Sequence, residues 1–293
     1  MKNSPHEAAA RAADYYDTQY NALAMVPDHP RIAGRWMSDS ARVRRTNAGI
    51  FDIAYGDAPG ERLDFFPANG GGAPLLVYIH GGWWRSRDKS DFSFVAPAYT
   101  RAGINVALTN YSLAPSATIE EIVLQQLRAL AWLYRHADNY DFDRERIVVA
   151  GHSAGGHLAA MCMAAVWPVF GADLPAGLVK AGVLLSGLYD LEPVRHAQFV
   201  NADLRLTPER VARLSPALLP QSHPAPYLTA VGGLESEEFR RQNDLIRATW
   251  PGTHRGDIAL PDANHLTIVD AFADPEGALH AAVRELVAGT TRA

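Results

Sequence analysis

The residues best suited to do chemistry sit in one short run, Gly151-His152-Ser153-Ala154-Gly155, between the β-branched stretch Ile147-Val148-Val149 and an apolar helical pattern through Leu158, Ala159 and Met161. A serine on a tight strand-to-helix turn holds its hydroxyl out toward a substrate, and glycines flank it where a Cβ would strike the adjoining strand or helix. The Ala154 N–H, at the start of the helix, would point where an attacked carbonyl oxygen becomes negative. An ordinary glycine-rich turn is the bland alternative. The apolar strand before the turn and the helix after it favour a nucleophilic Ser153.

A serine hydroxyl is a poor nucleophile until a base takes its proton. The chain has 11 histidines, and position selects His265, in the loop after strand Asp257–Leu260 and just before the last helix. His152 and His157 flank the serine too closely to reach its oxygen easily, and His254 should face the opposite edge of the sheet. A carboxylate is expected between serine and histidine in chain order. Glu235 is the first after strand Tyr227–Val231, ahead of Glu237 and Glu238, which read as the first turn of a helix capped by Ser236. Asp262, close to His265 in sequence, is the rival acid.

A second run, His80-Gly81-Gly82-Trp83-Trp84, follows the apolar strand Leu75–Ile79. Two glycines leave backbone N–H groups bare, so Gly81, Gly82 and Ala154 are the expected oxyanion donors. The His80 side chain reads as a structural hydrogen-bonder, and Trp83, Trp84 and Tyr111 as candidate substrate contacts. Tyr20, Arg31 and Arg35 could serve a polar leaving group if the N-terminal segment folds over the cleft.

Positioning these groups requires a scaffold. Strands at Ile50–Tyr55, Arg62–Phe66, Leu75–Ile79, Ile104–Thr109, Ile147–Val149, Ala181–Leu185, Tyr227–Val231 and Asp257–Leu260 alternate, from the third onward, with helical patterns. That order predicts a mostly parallel, doubly wound α/β sheet of about eight strands with helices on both faces. The early hairpin, across Gly56–Gly60, implies an antiparallel edge. The helices expected near Ser90–Arg101, over Glu120–Ala137, over Glu237–Thr249 and from about Pro275 to Val287 supply the layers. Residues 1–48 form an N-terminal helical segment, with Ser4 as the first cap, a break at Pro27–Pro30, and padding of the sheet as its favoured role. Residues 188–223 interrupt the alternation with two short helical patterns among prolines, as an inserted lid would. Residues 1–293 therefore read as one domain.

The composition, 48% hydrophobic and 20% charged over 293 residues, is that of a globular soluble protein with a sizeable core. A net charge of −5 gives no reason to expect nucleic acid or an anionic membrane as partner. Cys162, the single cysteine, reads as a core residue, and neither a secretory h-region in Met1–Arg11 nor a membrane-length apolar run is visible. A cytoplasmic protein with a small-molecule substrate is expected, a homodimer being left open. No metal is expected, since neither H-E-x-x-H nor paired Cys/His spacing occurs, and no cofactor, since G-x-G-x-x-G and the phosphate loop are missing.

Taken together, His80–Trp84, Asn110–Pro115, Gly151–Ala160 and Asn264–Asp270 resemble the α/β-hydrolase superfamily on its esterase side. Within it the chain is similar to the kynurenine formamidase (arylformamidase) group and related bacterial esterases. The likeness lies in HGG-x-W, GHSAGGHL, E-S-x-x-F-x-x-Q at Glu235–Gln242 and the segment Tyr20-Asn21…Val26-Pro27-Asp28, within a span from about Tyr15 to Leu286. The resemblance implies an α/β-hydrolase fold and two-step acyl transfer on a small ester or aryl-formamide. Two departures stand out: Glu235 where the triad acid is commonly Asp, and Trp83 where a tyrosine often sits. A broad short-chain carboxylesterase is the alternative enzyme, and a non-catalytic small-molecule receptor on the same fold the alternative of another class.

Overall fold

The strand Ala73–Ile79 is buried from Pro74 onward, and its alternation divides the interior in two. Leu75, Val77 and Ile79 face one apolar cluster, while Leu76 and Tyr78 face the other. A strand buried on both sides belongs inside a sheet covered by helices on both faces. The computed structural model describes residues 5–290, so the expected cap at Ser4 lies outside the described residues. Its strands are β1 (Ile50–Ala54), β2 (Arg62–Phe66), β3 (Ala73–Ile79), β4 (Asn105–Thr109), β5 (Phe142–His152), β6 (Ala181–Leu185), β7 (Tyr227–Ala230) and β8 (His254–Asp257). They form one eight-stranded sheet in the order β1-β2-β4-β3-β5-β6-β7-β8. The pairings β1–β2 and β2–β4 are antiparallel, and every other pairing is parallel. This is the α/β-hydrolase fold.

The helices are α1 (Pro5–Tyr20), α2 (His29–Thr46), α3 (Ala96–Thr100), α4 (Ile119–His136), α5 (Ala154–Ala164), α6 (Trp167–Phe170), α7 (Glu192–His196), α8 (Gln198–Leu204), α9 (Pro208–Leu214), α10 (Glu237–Thr249), α11 (Thr267–Ala273) and α12 (Ala278–Ala288). Apolar residues of α4, α5 and α10 join the cluster under Leu75, Val77 and Ile79, whereas α2, α3, α11 and α12 cover the opposite face. None of the described helices is long and apolar enough to cross a membrane.

Four local expectations are corrected. The Ser90–Arg101 helix divides into a 3₁₀ segment at Lys89–Val95 and α3, with Asp88 and Asp91 building a capping box and Pro97 admitted at the start of the second piece. A break does separate the two N-terminal helices, but the second, expected around Trp36–Arg45, already starts at His29, with Pro30 admitted in its first turn. The last strand is β8 at His254–Asp257, and Leu260 meets the sheet only by a single bridge to Gly232. The sequence after His265 yields α11 as well as α12. Asn264 Oδ1 accepts the N–H groups of Leu266 and Thr267 and so starts α11, and Ile268, Val269 and Phe272 bury against the sheet.

The parallel register positions the chemistry. Ile79 lies opposite Gly151, so the chain leaving β3 runs alongside the turn after β5. The loops after β7 and β8 also touch: Gly233 N donates to Leu260 O at 2.9 Å and Leu234 N to Ala263 O at 3.0 Å. All four loops leave the carboxyl edge of the sheet, where open α/β sheets hold their sites.

Candidate active site

Ser153 stands between β5 and α5 at φ 58° and ψ −120°, a left-handed backbone that a non-glycine residue adopts only under constraint. A Cβ at Gly151 would lie 2.0 Å from Gly155 O, and one at Gly155 would lie 2.0 Å from Ile79 O. No side chain fits either place, which is why the strained turn is bracketed by glycines. Ala154 is the first residue of α5, and its N–H has no partner inside the helix.

His265 reaches the serine from the loop after β8. Its Nε2 is 3.0 Å from Ser153 Oγ, and its Nδ1 is 2.6 Å from Glu235 Oε2. Glu235 is 5% exposed, and its other oxygen accepts from Ser186 Oγ at 2.6 Å and from the Gly232 N–H at 2.7 Å. A carboxylate can only accept, so Nδ1 carries the imidazole proton and Nε2 is left to accept from the serine hydroxyl. The structure thus brings Ser153, His265 and Glu235 together in one line able to move a proton off the serine. Asp262, the rival acid, is exposed, and Glu235 holds the place beside His265 Nδ1.

Gly81 packs against the serine turn so closely that a Cβ would come within 2.8 Å of His152 O and 3.0 Å of Ser153 Cβ. Gly82 sits at φ 110° in a turn closed by Arg85 N and Ser86 N, which donate to its carbonyl at 3.1 and 3.0 Å. His80 holds this loop from behind: its Nε2 is 2.9 Å from Asn110 Oδ1 and its Nδ1 is 2.7 Å from Gly81 O. Burial lowers the His80 pKa, with those two contacts working the other way. His152, buried beside His265 at 4.7 Å between ring centres, is pushed well below the ordinary histidine range, first by desolvation and then by the His265 charge. It therefore stays neutral at ordinary pH.

A cleft of about 80 Å³ opens onto Ser153 and His265, walled by Gly81, Gly82, Trp83, Trp36, Phe92 and Leu266. Ala22 and Leu23, from the turn between α1 and α2, also line it. The N-terminal segment therefore lies over the cleft, which corrects its reading as padding. Tyr20 anchors it, with its hydroxyl donating to Glu238 at 2.8 Å and accepting from Gln242 at 2.9 Å. Residues 188–223 carry α7, α8 and α9 and are tied to the loop after β3: Arg85 donates to Phe199 O at 2.8 Å and to Asp203 at 2.7 Å.

Of the expected substrate contacts, Trp83 alone lines the cleft, edge-on to Tyr20 at 6.0 Å and to Phe199 at 5.7 Å. Trp84 is fully buried against His157 at 5.0 Å and faces the core. Two consecutive left-handed residues, at φ 56° and 54°, send the neighbouring indoles to different places. Tyr111 is buried under the loop, stacked on His80 at 4.4 Å and donating to His80 O at 3.0 Å, so it supports the glycines rather than meeting a ligand. Arg31 is spent on Asp28 at the surface, and Arg35 pairs with Asp270 at 2.6 Å away from the cleft. Sequence reasoning missed Ser186 and Arg87. Ser186 directly follows β6, and its position at the carboxyl edge was the available signal.

The BD-FAE family matches residues 63–167, the stretch from β2 through α5. The chain is 32% identical to the kynurenine formamidase of Danio rerio over 217 residues, 71% of this chain and 70% of that one. It is 29% identical to esterase LipC of Mycobacterium tuberculosis over 240 residues, 73% of this chain and 58% of the other. Among solved structures, a thioesterase candidate from Silicibacter superposes with a TM-score of 0.81 at 27% identity, covering 90% of this chain and 97% of its own.

Proposed function

This chain belongs to the kynurenine formamidase family within the α/β-hydrolases and is a hydrolase of esters or formamides, and from that premise we propose that it cleaves a small ester or aryl-formamide, N-formyl-kynurenine-like, through an acyl-enzyme on Ser153. The observation that carries this reading is the line Ser153–His265–Glu235, with separations of 3.0 and 2.6 Å. Ser153 Oγ attacks the carbonyl carbon while His265 Nε2 takes its proton, and the N–H groups of Gly82 and Ala154, with Gly81 beside them, receive the developing oxyanion. His265 then protonates the leaving amine or alcohol, and water repeats the sequence on the acyl group. Glu235 keeps the imidazole in the useful tautomer and stabilises its cation.

The cleft supports a short acyl group. Sites that enclose drug-sized ligands span roughly 300–1,000 Å³, whereas this one offers about 80 Å³, with Trp83 beside the oxyanion loop. A formyl or acetyl group fits; a longer acyl chain meets the indole. A larger leaving group would lie toward the mouth, against Ala22, Leu23 and Trp36.

The test compares kcat/KM for N-formyl-kynurenine with that for p-nitrophenyl esters of increasing acyl length, using the intact protein and Ser153→Ala. The expected outcome is preference for formyl and acetyl over butyryl, and a loss of about four orders of magnitude in Ser153→Ala. A profile peaking at butyryl or hexanoyl would favour a broad carboxylesterase. Ser153→Ala retaining more than a few per cent of the rate would remove the nucleophile assignment.

A further inference from the structure

Arg87 lines the same cleft as Ser153 and His265, and it is a cation with no opposite charge there. The other charged groups of its loop are engaged: Arg85 with Asp203, Asp88 with the Ser90 N–H and the Asn110 side chain, and Lys89 with Asp52 and Asp64. Among the described residues Arg87 makes neither an ion pair nor a hydrogen bond, and no aspartate or glutamate belongs to the cleft wall. Its backbone is held at φ 77°, a left-handed conformation unfavourable for arginine. Its stem lies against the oxyanion turn, since a Cβ on Gly82 would come within 3.0 Å of Arg87 Cγ. A half-buried arginine on the cleft wall, left without a counter-ion, is arranged to receive an anion.

We propose that Arg87 is the residue that recognises a carboxylate on the leaving-group side of the substrate, and so selects acid-bearing esters or aryl-formamides over neutral ones. This deepens, and rests on, the hydrolase reading of the same cleft. The rest of the lining fits a group of that kind. Trp36, Phe92, Leu23 and Leu266 give an apolar wall for a ring, and the cation sits on the oxyanion loop at its side. A single guanidinium with no second cation in the wall suits the one charge of a carboxylate better than a dianionic phosphate, which gathers several donors. Arg87 would therefore be a specificity residue, holding the leaving group's charge while Ser153 attacks the acyl carbon.

The experiment uses two pairs of substrates that differ only by a carboxylate: formanilide with 2-formamidobenzoate, and phenyl acetate with 4-acetoxybenzoate. The protein should favour the anionic member of each pair by about tenfold or more in kcat/KM, with the preference shrinking as salt rises. Arg87→Met keeps most of the stem and should lose about tenfold more on the anionic member than on the neutral one, mainly through KM. Arg87→Lys should recover part of the difference. Equal losses on both members would overturn the proposal, because Arg87 would then only support the oxyanion loop; so would no preference in the unaltered protein. If neither pair is hydrolysed at all, the hydrolase reading itself fails. Calorimetric titration of Ser153→Ala and of the Ser153→Ala/Arg87→Met protein with 2-formamidobenzoate tests Arg87 independently of turnover. Tighter binding to the first protein upholds the carboxylate site, and equal or undetectable binding to both refutes it.

Discussion

Replacing Glu235 by glutamine tests the acid more sharply than deleting it. The side chains are nearly the same size, and this site leaves the amide one orientation. The Gly232 N–H is a fixed backbone donor 2.7 Å from Oε1, so the amide oxygen must take that position. The NH₂ group is then forced to the other side, 2.6 Å from His265 Nδ1. Two donors cannot face each other, so the imidazole must give up the Nδ1 proton and carry it on Nε2. That proton would point at Ser153 Oγ, 3.0 Å away, leaving nothing to accept from the serine. The wrong tautomer and the lost stabilisation of the imidazolium together should lower kcat by about 10⁴, or about 5 kcal/mol of barrier. Asp262→Asn, at an exposed position, should stay within about twofold of the unaltered rate. The assay is steady-state hydrolysis of p-nitrophenyl acetate, with circular dichroism to confirm that Glu235→Gln remains folded. Retention of more than about one per cent of the rate in Glu235→Gln, or a larger loss in Asp262→Asn, would refute the argument.

Trp83→Ala should shift the preferred acyl length from acetyl toward butyryl in a p-nitrophenyl ester series, since the indole lines the cleft beside Gly82; an unchanged profile would assign the short-acyl limit to other residues. Ser186→Ala removes one of two hydrogen bonds on Glu235 Oε1 and should lower kcat by roughly tenfold without unfolding the protein, the Gly232 N–H remaining; a loss as large as that of Glu235→Gln would mean the hydroxyl does more than hold the carboxylate. Burial pushes the His157 pKa down to about 4, below the value of about 6.5 in an unfolded chain, so the unfolded state binds the extra proton first. This penalty is negligible well above pH 6.5, costs about 1.4 kcal/mol per pH unit as pH falls from there, and levels off below about pH 4. Urea unfolding at pH 7.5 and pH 5 should show a loss of stability, and His157→Gln should lessen it by the His157 share while the buried His80 and His152 keep theirs; equal slopes in the two proteins would refute it.

The sheet and the line Ser153–Glu235–His265 were legible because each depends on a local rule. A continuous apolar run such as Leu75–Ile79, bounded by turn residues, suits a strand buried on both faces of a parallel sheet, and the carboxyl ends of such strands mark the edge where the loops meet. Glu235 preceded a helix whose Ser236 cap and two first-turn glutamates accounted for the competing carboxylates. What the residues did not disclose was side-chain direction wherever the backbone enters the left-handed region. Trp83 and Trp84 are adjacent indoles, yet one meets the cleft and the other His157. Tyr111 resembled a pocket residue for the same reason: only the stacked contact with His80 reveals that it works from beneath.

The N-terminal segment is a second kind of case, because its role depends on long-range polar pairing that no periodicity displays. Tyr20 is fully buried and joins α1 to α10 through Glu238 and Gln242, while the Gln242 carbonyl accepts the N–H groups of Tyr189 and Asp190 at 2.8 Å. One glutamine therefore ties the N-terminal helix to the start of the 188–223 insertion, and it does so two turns after Glu235. Trp36 adds a second tie, its indole N–H donating to Asp270 on α11 at 2.6 Å, just beyond His265. The segment that narrows the cleft is thus fastened to the elements that follow Glu235 and His265. On the proposed reaction, its contacts would set how much room the leaving group has, while the strained loops around Ser153 and Gly82 would set where the acyl carbon sits. Separating these two tasks would let pocket size change through residues 22–36 without moving the line Ser153–His265–Glu235, a division of labour that the α/β-hydrolase sheet permits because these three residues all hang from one edge.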